Sequence, residues 1–165
     1  AFLKIPPGRR ILFSLGGPVA NVLLAVVLFS MLNALNGHAS AASLLVHPWL
    51  QTFAMICDVF AAIPKLFTQP DQLSGVVGIV AQGRDYVGFD PLRAIYFAAV
   101  LSVNLAVFNM LPIPALDGGK ILLACAEKVW PGSRRLYVPL AVASWLLLLG
   151  LMLYATLMDV IKVTA

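Results

Sequence analysis

Long apolar runs separated by short polar or glycine-containing segments dominate the chain. Residues 11–35 contain no Asp, Glu, Lys or Arg, and a helix needs about 20 apolar residues to cross a bilayer. Residues 94–111 and 136–158 form two similar runs. Asn36-Gly37 follows the first run and is a turn signal. The pattern therefore predicts three transmembrane helices.

The segments between these runs predict smaller elements. Residues 49–63 are short for a span and contain Asp58, which favours an interfacial or partly inserted helix. Residues 66–93 are interrupted by glycines, and the β-branched residues within 76–80 indicate a short strand or re-entrant segment. Residues 121–130 suit a short helix. We expect an all-α membrane protein with about three transmembrane helices, an interfacial helix and a short re-entrant or β-like segment.

Composition supports a lipid environment. The chain is 61% hydrophobic and 11% charged, whereas soluble domains carry roughly a quarter charged residues. The net charge of +4 comes from residues that flank the apolar runs, so we interpret them as orientation signals and expect no nucleic-acid partner. With three spans, seven of the 11 basic residues share the side of the N-terminus, which favours that side as cytoplasmic. A full crossing by residues 49–63 would reverse this for the basic segment 120–135.

Asp117 is the sharpest candidate for chemistry. It follows an apolar run, Pro112 and Pro114, and it precedes Gly118 and Gly119. The prolines end the helix and the glycines permit unusual backbone dihedrals. A carboxylate near a membrane interior is a functional candidate by default, and its oxygens suit zinc or another divalent ion. The alternative is that Asp117 caps a helix starting near Lys120.

Three asparagines lie within the apolar runs. Asn104 and Asn109 could bind a substrate backbone or support a metal site, or they could form interhelical hydrogen bonds. Asn21 ends the pattern G-G-P-x-x-N, residues 16–21, where small residues allow close helix packing. His38 and His47 have no second ligand at metal-binding spacing, and Cys57 and Cys125 show no C-x-x-C spacing. Neither G-x-S-x-G nor a P-loop occurs.

Three segments resemble one family. The run L-S-V-N-L-A-V-F-N-M-L-P-I-P-A-L-D-G-G-K, residues 101–120, resembles the C-terminal motif of the site-2 protease family of intramembrane zinc metalloproteases. Residues 73–80, L-S-G-V-V-G-I-V, resemble the segment preceding that motif in the bacterial regulator-of-sigma-E branch, and residues 14–25 resemble the family's G-P-x-x-N helix. The resemblance covers roughly residues 8–160.

The resemblance implies a mechanism. In the family, two His of an H-E-x-x-H helix and the Asp of the L-D-G motif hold Zn²⁺, and the Glu of that helix is the general base for a zinc-activated water. Asp117 would then be the third zinc ligand. Asn104, Asn109, Pro112 and Pro114 would shape the approach of membrane-anchored protein substrates, and Asn21 would support the site.

The chain departs from the family in two respects. It has no H-E-x-x-H, so we expect residues 1–165 to be the C-terminal part of one membrane-embedded peptidase domain, inactive without the preceding helix. Its connector, residues 36–48, is too short for the PDZ domain of many relatives. The resemblance implies an integral membrane protein of the bacterial inner membrane. The alternative function is a non-catalytic pseudoprotease or scaffold that binds transmembrane segments.

Overall fold

Helices form all the regular structure in the described part of the chain. The computed structural model describes residues 5–38, 40–68, 76–130 and 137–164, which contain no β-strand. The helices are α1 (Pro7–Leu35), α2 (Ala41–Leu45), α3 (His47–Thr68), α4 (Val76–Val87), α5 (Pro91–Asn109), α6 (Asp117–Val129) and α7 (Tyr137–Thr164). The prediction of an all-α membrane-type fold is confirmed.

Helices α1, α3 and α5 form the core. Ala25 of α1 and Val103 of α5 are fully buried, and Met55, Ile56 and Val59 of α3 pack against them. Small residues at the α1–α5 interface, such as Ala25, let the two helix backbones approach closely, which is how transmembrane helices gain van der Waals contact. Outside this core, many large apolar side chains are exposed. Such a surface suits lipid or further protein rather than water.

The ends of the bundle are set by contacts between α1 and the later helices. The ring of Phe29, late in α1, lies 6.2 Å from that of Tyr96, early in α5, so α1 and α5 run antiparallel. At the other end, Arg10 of α1 pairs with Glu127 of α6. Arg10 and α6, with its basic Lys128, therefore lie together at one end, which is the arrangement the three-span layout required.

Helix α3 is longer than predicted. Pro64 predicts that this helix ends at residue 63, but α3 spans His47–Thr68 with Pro64 inside it. A proline within a helix removes one hydrogen bond and need not end a helix that is held by packing. Among the described residues, four helical stretches are long and apolar enough to cross a membrane, one more than the sequence indicated; one of them, Ala41–Pro64, combines α2 with most of α3. Length and composition alone select this stretch. Arg10 and Glu127 lie at one end of the bundle, which agrees with the three-span layout and not with one additional full crossing.

Of the two alternatives predicted for residues 76–80, a short strand or a re-entrant segment, the strand is wrong. These residues begin helix α4, Val76–Val87, and residues 73–75 of the predicted motif lie outside the described part. Gly83 faces α5, where a Cβ would lie 2.8 Å from the ring of Phe97. Within residues 76–80, Gly78 lies against Asp159 of α7, where a Cβ would be 2.9 Å from the carboxylate oxygens. Contacts with other helices thus outweigh the strand propensity of this segment.

Helix α7 continues through a residue that was expected to follow it. Asp159 lies inside α7, is 5% exposed, and accepts a hydrogen bond of 2.8 Å from the backbone N–H of Gly78 in α4. The first N–H groups of a helix have no partner within the helix. Asp159 thus caps α4 from a neighbouring helix, and this contact joins α7 to the rest of the bundle.

We expect Asp159→Ala to loosen the first turn of α4. The loss of a capping side chain costs about 1 kcal/mol, so the amide of Gly78 should exchange hydrogen roughly five to ten times faster. Hydrogen exchange followed by mass spectrometry in detergent measures this rate. Asp58→Ala is the matched control because Asp58 is exposed on α3. An unchanged rate at Gly78 would contradict the capping role of Asp159.

Candidate metal centre

Asp117 lies where the chain turns from α5 into α6. Helix α5 ends at Asn109, and residues 110–116 form a tight connection before α6 begins at Asp117. Within this connection the N–H of Leu116 donates to the carbonyl of Ile113 at 2.8 Å. Pro112 is exposed and Pro114 is half-buried. The fixed φ of each proline and the backbone hydrogen bond hold the bend in one shape.

The interpretation of Asp117 as a helix cap is wrong. Leu116 occupies the cap position, no side chain caps this helix end, and Asp117 is the first helical residue. One carboxylate oxygen, Oδ1, accepts a hydrogen bond of 2.8 Å from Nζ of Lys120, one turn later. The Asp117 side chain is 24% exposed. A carboxylate in the first helical turn is also stabilised by the helix dipole, so the position favours a charged side chain.

Gly118 and Gly119 allow the connection to lie on α6. A Cβ on Gly118 would be 2.2 Å from the carbonyl oxygen of Met110, and one on Gly119 would be 2.1 Å from that of Ile113. Neither glycine has a positive φ, since in the described chain only Gly37 and Gly88 do. The expected reason, unusual dihedrals, is therefore wrong. The glycines are required because backbone approaches backbone, and this approach fixes where Asp117 starts the helix.

The second carboxylate oxygen of Asp117 faces helix α1. A Cβ built on Gly17 would lie 3.1 Å from Oδ2 of Asp117. Gly17 therefore places a hydrogen atom where any other residue would place a side chain. The G-G-P motif and the L-D-G-G motif, 100 residues apart in sequence, meet at this point. The structure thus joins two of the three segments on which the family resemblance rested.

The asparagines have different surroundings. Asn104 donates from Nδ2 to the carbonyl of Val100 in its own helix at 2.9 Å, so this bond does not join two helices. Asn104 also lines an apolar cavity of about 360 Å³ between α4 and α5. Asn109 ends α5 and Asn21 lies one turn after Gly17; both are half-buried. Within the described residues, the side-chain amide of neither Asn109 nor Asn21 forms a hydrogen bond.

The histidines lie far from Asp117. His38 and His47 line an open cavity of about 500 Å³ with Asn33, beyond the end of α1. Gly17, which marks the level of Asp117, precedes Leu35 by 18 residues, or roughly 27 Å at 1.5 Å per helical residue. Metal–nitrogen bonds are about 2 Å long. These histidines therefore cannot share a metal ion with Asp117.

The donor chemistry of Asp117 fits zinc as one ligand. Carboxylate oxygens bind Zn²⁺ at about 2.0–2.2 Å. Oδ1 is paired with Lys120, and Oδ2 lies over the open position of Gly17. Among the described residues, no group of three or more His, Cys, Asp or Glu could hold a metal ion. Within that part of the chain, Asp117 offers a single ligand to a site.

A known protein family matches these features. The sequence profile of Peptidase family M50 matches residues 1–156, a stretch that contains both motifs meeting at Gly17 and Asp117. The chain belongs to peptidase family M50. The resemblance to site-2 proteases is therefore confirmed. The described part of this M50 chain also has helices that are long and apolar enough to span a membrane.

Three relatives of this M50 chain are each covered only in part by the alignment. It is 38% identical over 78 residues to Zinc metalloprotease RasP of Shouchella clausii, covering 46% of the chain and 19% of the relative. It is 32% identical over 118 residues to Zinc metalloprotease RasP of Geobacillus kaustophilus, covering 68% and 28%. It is 40% identical over 83 residues to Membrane metalloprotease ARASP, chloroplastic, of Arabidopsis thaliana, covering 50% and 18%.

The M50 chain thus spans less than a third of the length of each of these relatives. No solved structure matches it.

Sequence reasoning missed three contacts of the M50 chain. The Asp117–Lys120 pair has the (i, i+3) spacing of helical side-chain pairs, so the sequence carried a signal for it. The approach of Gly17 to Asp117 and the pairing of Arg10 with Glu127 join residues about 100 positions apart. A single sequence contains no local signal for such contacts, because spacing rules describe only neighbours on one helix.

Proposed function

We propose that the protein containing this chain is an intramembrane zinc metalloprotease that cleaves membrane-anchored proteins, and that Asp117 is one of its zinc ligands. The observation that carries the proposal is the position of Asp117: a carboxylate at the start of α6, with Oδ2 over the open position of Gly17. Membership of family M50 and the names of the relatives support zinc and proteolysis. Further ligands would come from residues outside the described set.

The residues of this chain hold and orient the ligand. Lys120 donates to Oδ1 of Asp117 and restrains its rotation, which leaves Oδ2 directed at α1. The Gly118–Gly119 pair fixes the start of α6 against the connection. Zinc, when bound, polarises a scissile carbonyl and lowers the pKa of a coordinated water to about 7. A ligand held by packing on rigid helices keeps the geometry such chemistry requires.

The substrate side of the proposal rests on Asn109, Asn104 and the two prolines. Asn109 ends α5 immediately before the bend, and its amide has no hydrogen-bond partner among the described residues. Such an amide can pair with the backbone of an unwound substrate segment, which in lipid must find hydrogen-bond partners within protein. Pro112 and Pro114 contribute no N–H groups, so the bend does not offer competing donors there. Asn21 would support the site from α1.

The location that we propose is an integral membrane one, consistent with the four apolar helices. We propose the bacterial inner membrane as this location. A relative from Arabidopsis thaliana, by contrast, is named chloroplastic. The lipid bilayer and membrane-anchored proteins are the proposed partners. A chain of this kind presents its apolar helix faces to lipid.

Removal and return of zinc tests the proposed function. The full-length protein, purified in detergent, should cleave a reporter with a single transmembrane segment and should leave the reporter's isolated soluble domain intact. A chelator should abolish cleavage, and stoichiometric Zn²⁺ should restore at least half of the initial rate. A protein that binds the reporter without cutting it, with or without zinc, would instead support the pseudoprotease or scaffold function.

Residues 1–165 alone should not hydrolyse the same reporter. Asp117 supplies one ligand, and three protein ligands are usual for catalytic zinc. Cleavage by this segment, purified free of the full-length protein, would contradict the proposed division of the ligands.

A further inference from the structure

Helices α1 and α6 meet at two pairs of residues. Near the start of α6, Asp117 lies over Gly17. Near its end, Glu127 forms an ion pair with Arg10. The order of these contacts shows that α6 runs antiparallel to the first half of α1. Both contacts involve the helix that begins with the proposed zinc ligand.

The spacing of the two contacts is consistent along both helices. Gly17 and Arg10 are seven residues apart, or about 10 Å along α1 at 1.5 Å per residue. Asp117 and Glu127 are ten residues apart, or about 15 Å along α6. The long side chain of Arg10 spans the difference. Sliding α6 along α1 would lengthen one of the two contacts, so together they restrain the axial register of α6 against α1.

We propose that Gly17 and the Arg10–Glu127 ion pair are positioning residues for Asp117, which together fix the depth and the register of its carboxylate against α1. This inference rests on the proposed role of Asp117 as a zinc ligand. Gly17 sets how closely α6 approaches, and the ion pair sets how far α6 slides along α1. Neither group touches the metal.

Gly17 restricts the position of the Asp117 carboxylate sterically. A Cβ 3.1 Å from Oδ2 is closer than most real Cβ contacts, so the Asp117 carboxylate would have to shift by a few tenths of an ångström. Asp117 cannot easily give way, because Gly118 and Gly119 pack against the backbone of the connection. Metal affinity depends on ligand placement within about 0.5 Å. A methyl group at position 17 should therefore weaken zinc binding.

The Arg10–Glu127 ion pair restricts sliding of α6 along α1 because both charged side chains are largely buried. Arg10 is 2% exposed and the Glu127 side chain is 15% exposed. Burying two charges is unfavourable unless they pair with good geometry, so such pairs are better at specifying one arrangement than at adding stability. Sliding α6 along α1 would separate these charges in a poorly solvated place. The pair therefore disfavours registers in which Arg10 and Glu127 are separated.

The first test compares Gly17→Ala with Gly150→Ala in the full-length protein. Gly150 lies in α7, where a Cβ would meet nothing within 4 Å, so both variants make the same change in an apolar helix. We expect Gly17→Ala to raise the zinc dissociation constant at least threefold, towards the roughly 10–100-fold loss that follows changes of outer-shell partners of metal ligands. It should also shift the visible spectrum of the Co²⁺-substituted protein. Gly150→Ala should do neither.

The second test uses the double variant Arg10→Met with Glu127→Met. Replacing both partners of a buried ion pair by apolar residues of similar volume is often neutral for stability, so folding should be retained when Gly17→Ala fails to fold. We expect its melting temperature to stay near that of the wild type, whereas its zinc dissociation constant rises at least threefold. The single variant Glu127→Met should lose stability, because Arg10 then remains buried without this partner.

The outcomes separate the inference from the function on which it rests. Wild-type zinc affinity in both Gly17→Ala and the double variant, with loss of zinc in Asp117→Asn, would overturn the positioning role and leave the function intact. Unchanged zinc affinity in Asp117→Asn would overturn the ligand role itself. Weaker zinc binding in Gly17→Ala and in the double variant, at wild-type melting temperatures, is the result that supports the inference.

Discussion

Asp117→Asn should reduce kcat/KM of the full-length protein by about 10³-fold or more. Metal-ion catalysis supplies several kcal/mol of transition-state stabilisation, and about 4 kcal/mol corresponds to a factor of roughly 10³ in rate. Asn has nearly the shape of Asp, so the packing against Gly17 and the start of α6 should be retained. The change removes the charge and one strong ligand oxygen. Cleavage of a membrane-anchored reporter, measured at several substrate concentrations, gives kcat and KM separately.

Two controls make this result specific to Asp117. Asp58→Asn makes the same chemical change on the exposed face of α3 and should leave kcat/KM within a factor of two. Lys120→Met removes the cation that pairs with Oδ1 and should reduce activity far less than Asp117→Asn, because the carboxylate remains. An Asp117→Asn protein with more than a tenth of wild-type activity would contradict its role as a ligand.

Gly119→Ala should be, together with Gly118→Ala, the most destabilising glycine-to-alanine change in the described part of this chain. The added Cβ would lie 2.1 Å from the carbonyl oxygen of Ile113 and 2.5 Å from the nitrogen of Pro114. Both are backbone atoms in a bend stiffened by proline, so they cannot rotate away as a side chain could. Overpacking of this kind costs typically 1–3 kcal/mol and occasionally more, and we expect about 3 kcal/mol here.

Helix propensity alone would make Gly119→Ala stabilising. Ala is favoured over Gly inside a helix by about 1 kcal/mol, so any loss of stability must come from the contact with the connection. Gly150→Ala is the control, since it gains the same propensity without a clash, and it should be neutral or slightly stabilising. Thermal unfolding in detergent measures both variants. Equal melting temperatures would show that the connection does not lie against α6 as the structure has it.

The elements with strong local signals were predictable from the sequence. The end of α1 at Leu35, followed by Asn36 and a Gly37 with φ 83°, is one case. The start of α5 was missed by three residues, although Asp90 and Pro91 are a start signal: the Asp90 side chain accepts from the N–H of Leu92. The run without charged residues begins only after Arg93, so it places this boundary three residues too late.

The elements that were mispredicted depend on distant contacts. Helix α4 contains residues that favour a strand, and it is helical where it packs on α5 through Gly83 and receives the carboxylate of Asp159. Helix α3 passes through Pro64 because packing supports it. Neither effect can be read from residues that are adjacent in sequence, since both partners come from other helices.

In the candidate site, too, one residue could be identified from the sequence and its surroundings could not. Asp117 was identifiable because a carboxylate after an apolar run, next to prolines and glycines, is unusual. The surroundings of Asp117 could not be identified from the sequence, because the contacts that involve Gly17 and Glu127 form only when α6 lies along α1. The sequence also suggested the wrong reason for Gly118 and Gly119, because close approach and unusual dihedrals both select glycine. Only coordinates distinguish the two.

Zinc content is the measurement that tests the central claim most directly. Full-length wild type and Asp117→Asn, purified side by side and dialysed against a moderate chelator, would be analysed for zinc per protein. We expect close to one zinc per wild-type protein and less than about a fifth of that in Asp117→Asn, with equal melting temperatures for the zinc-free forms. Equal zinc in the two proteins would show that Asp117 does not bind the metal.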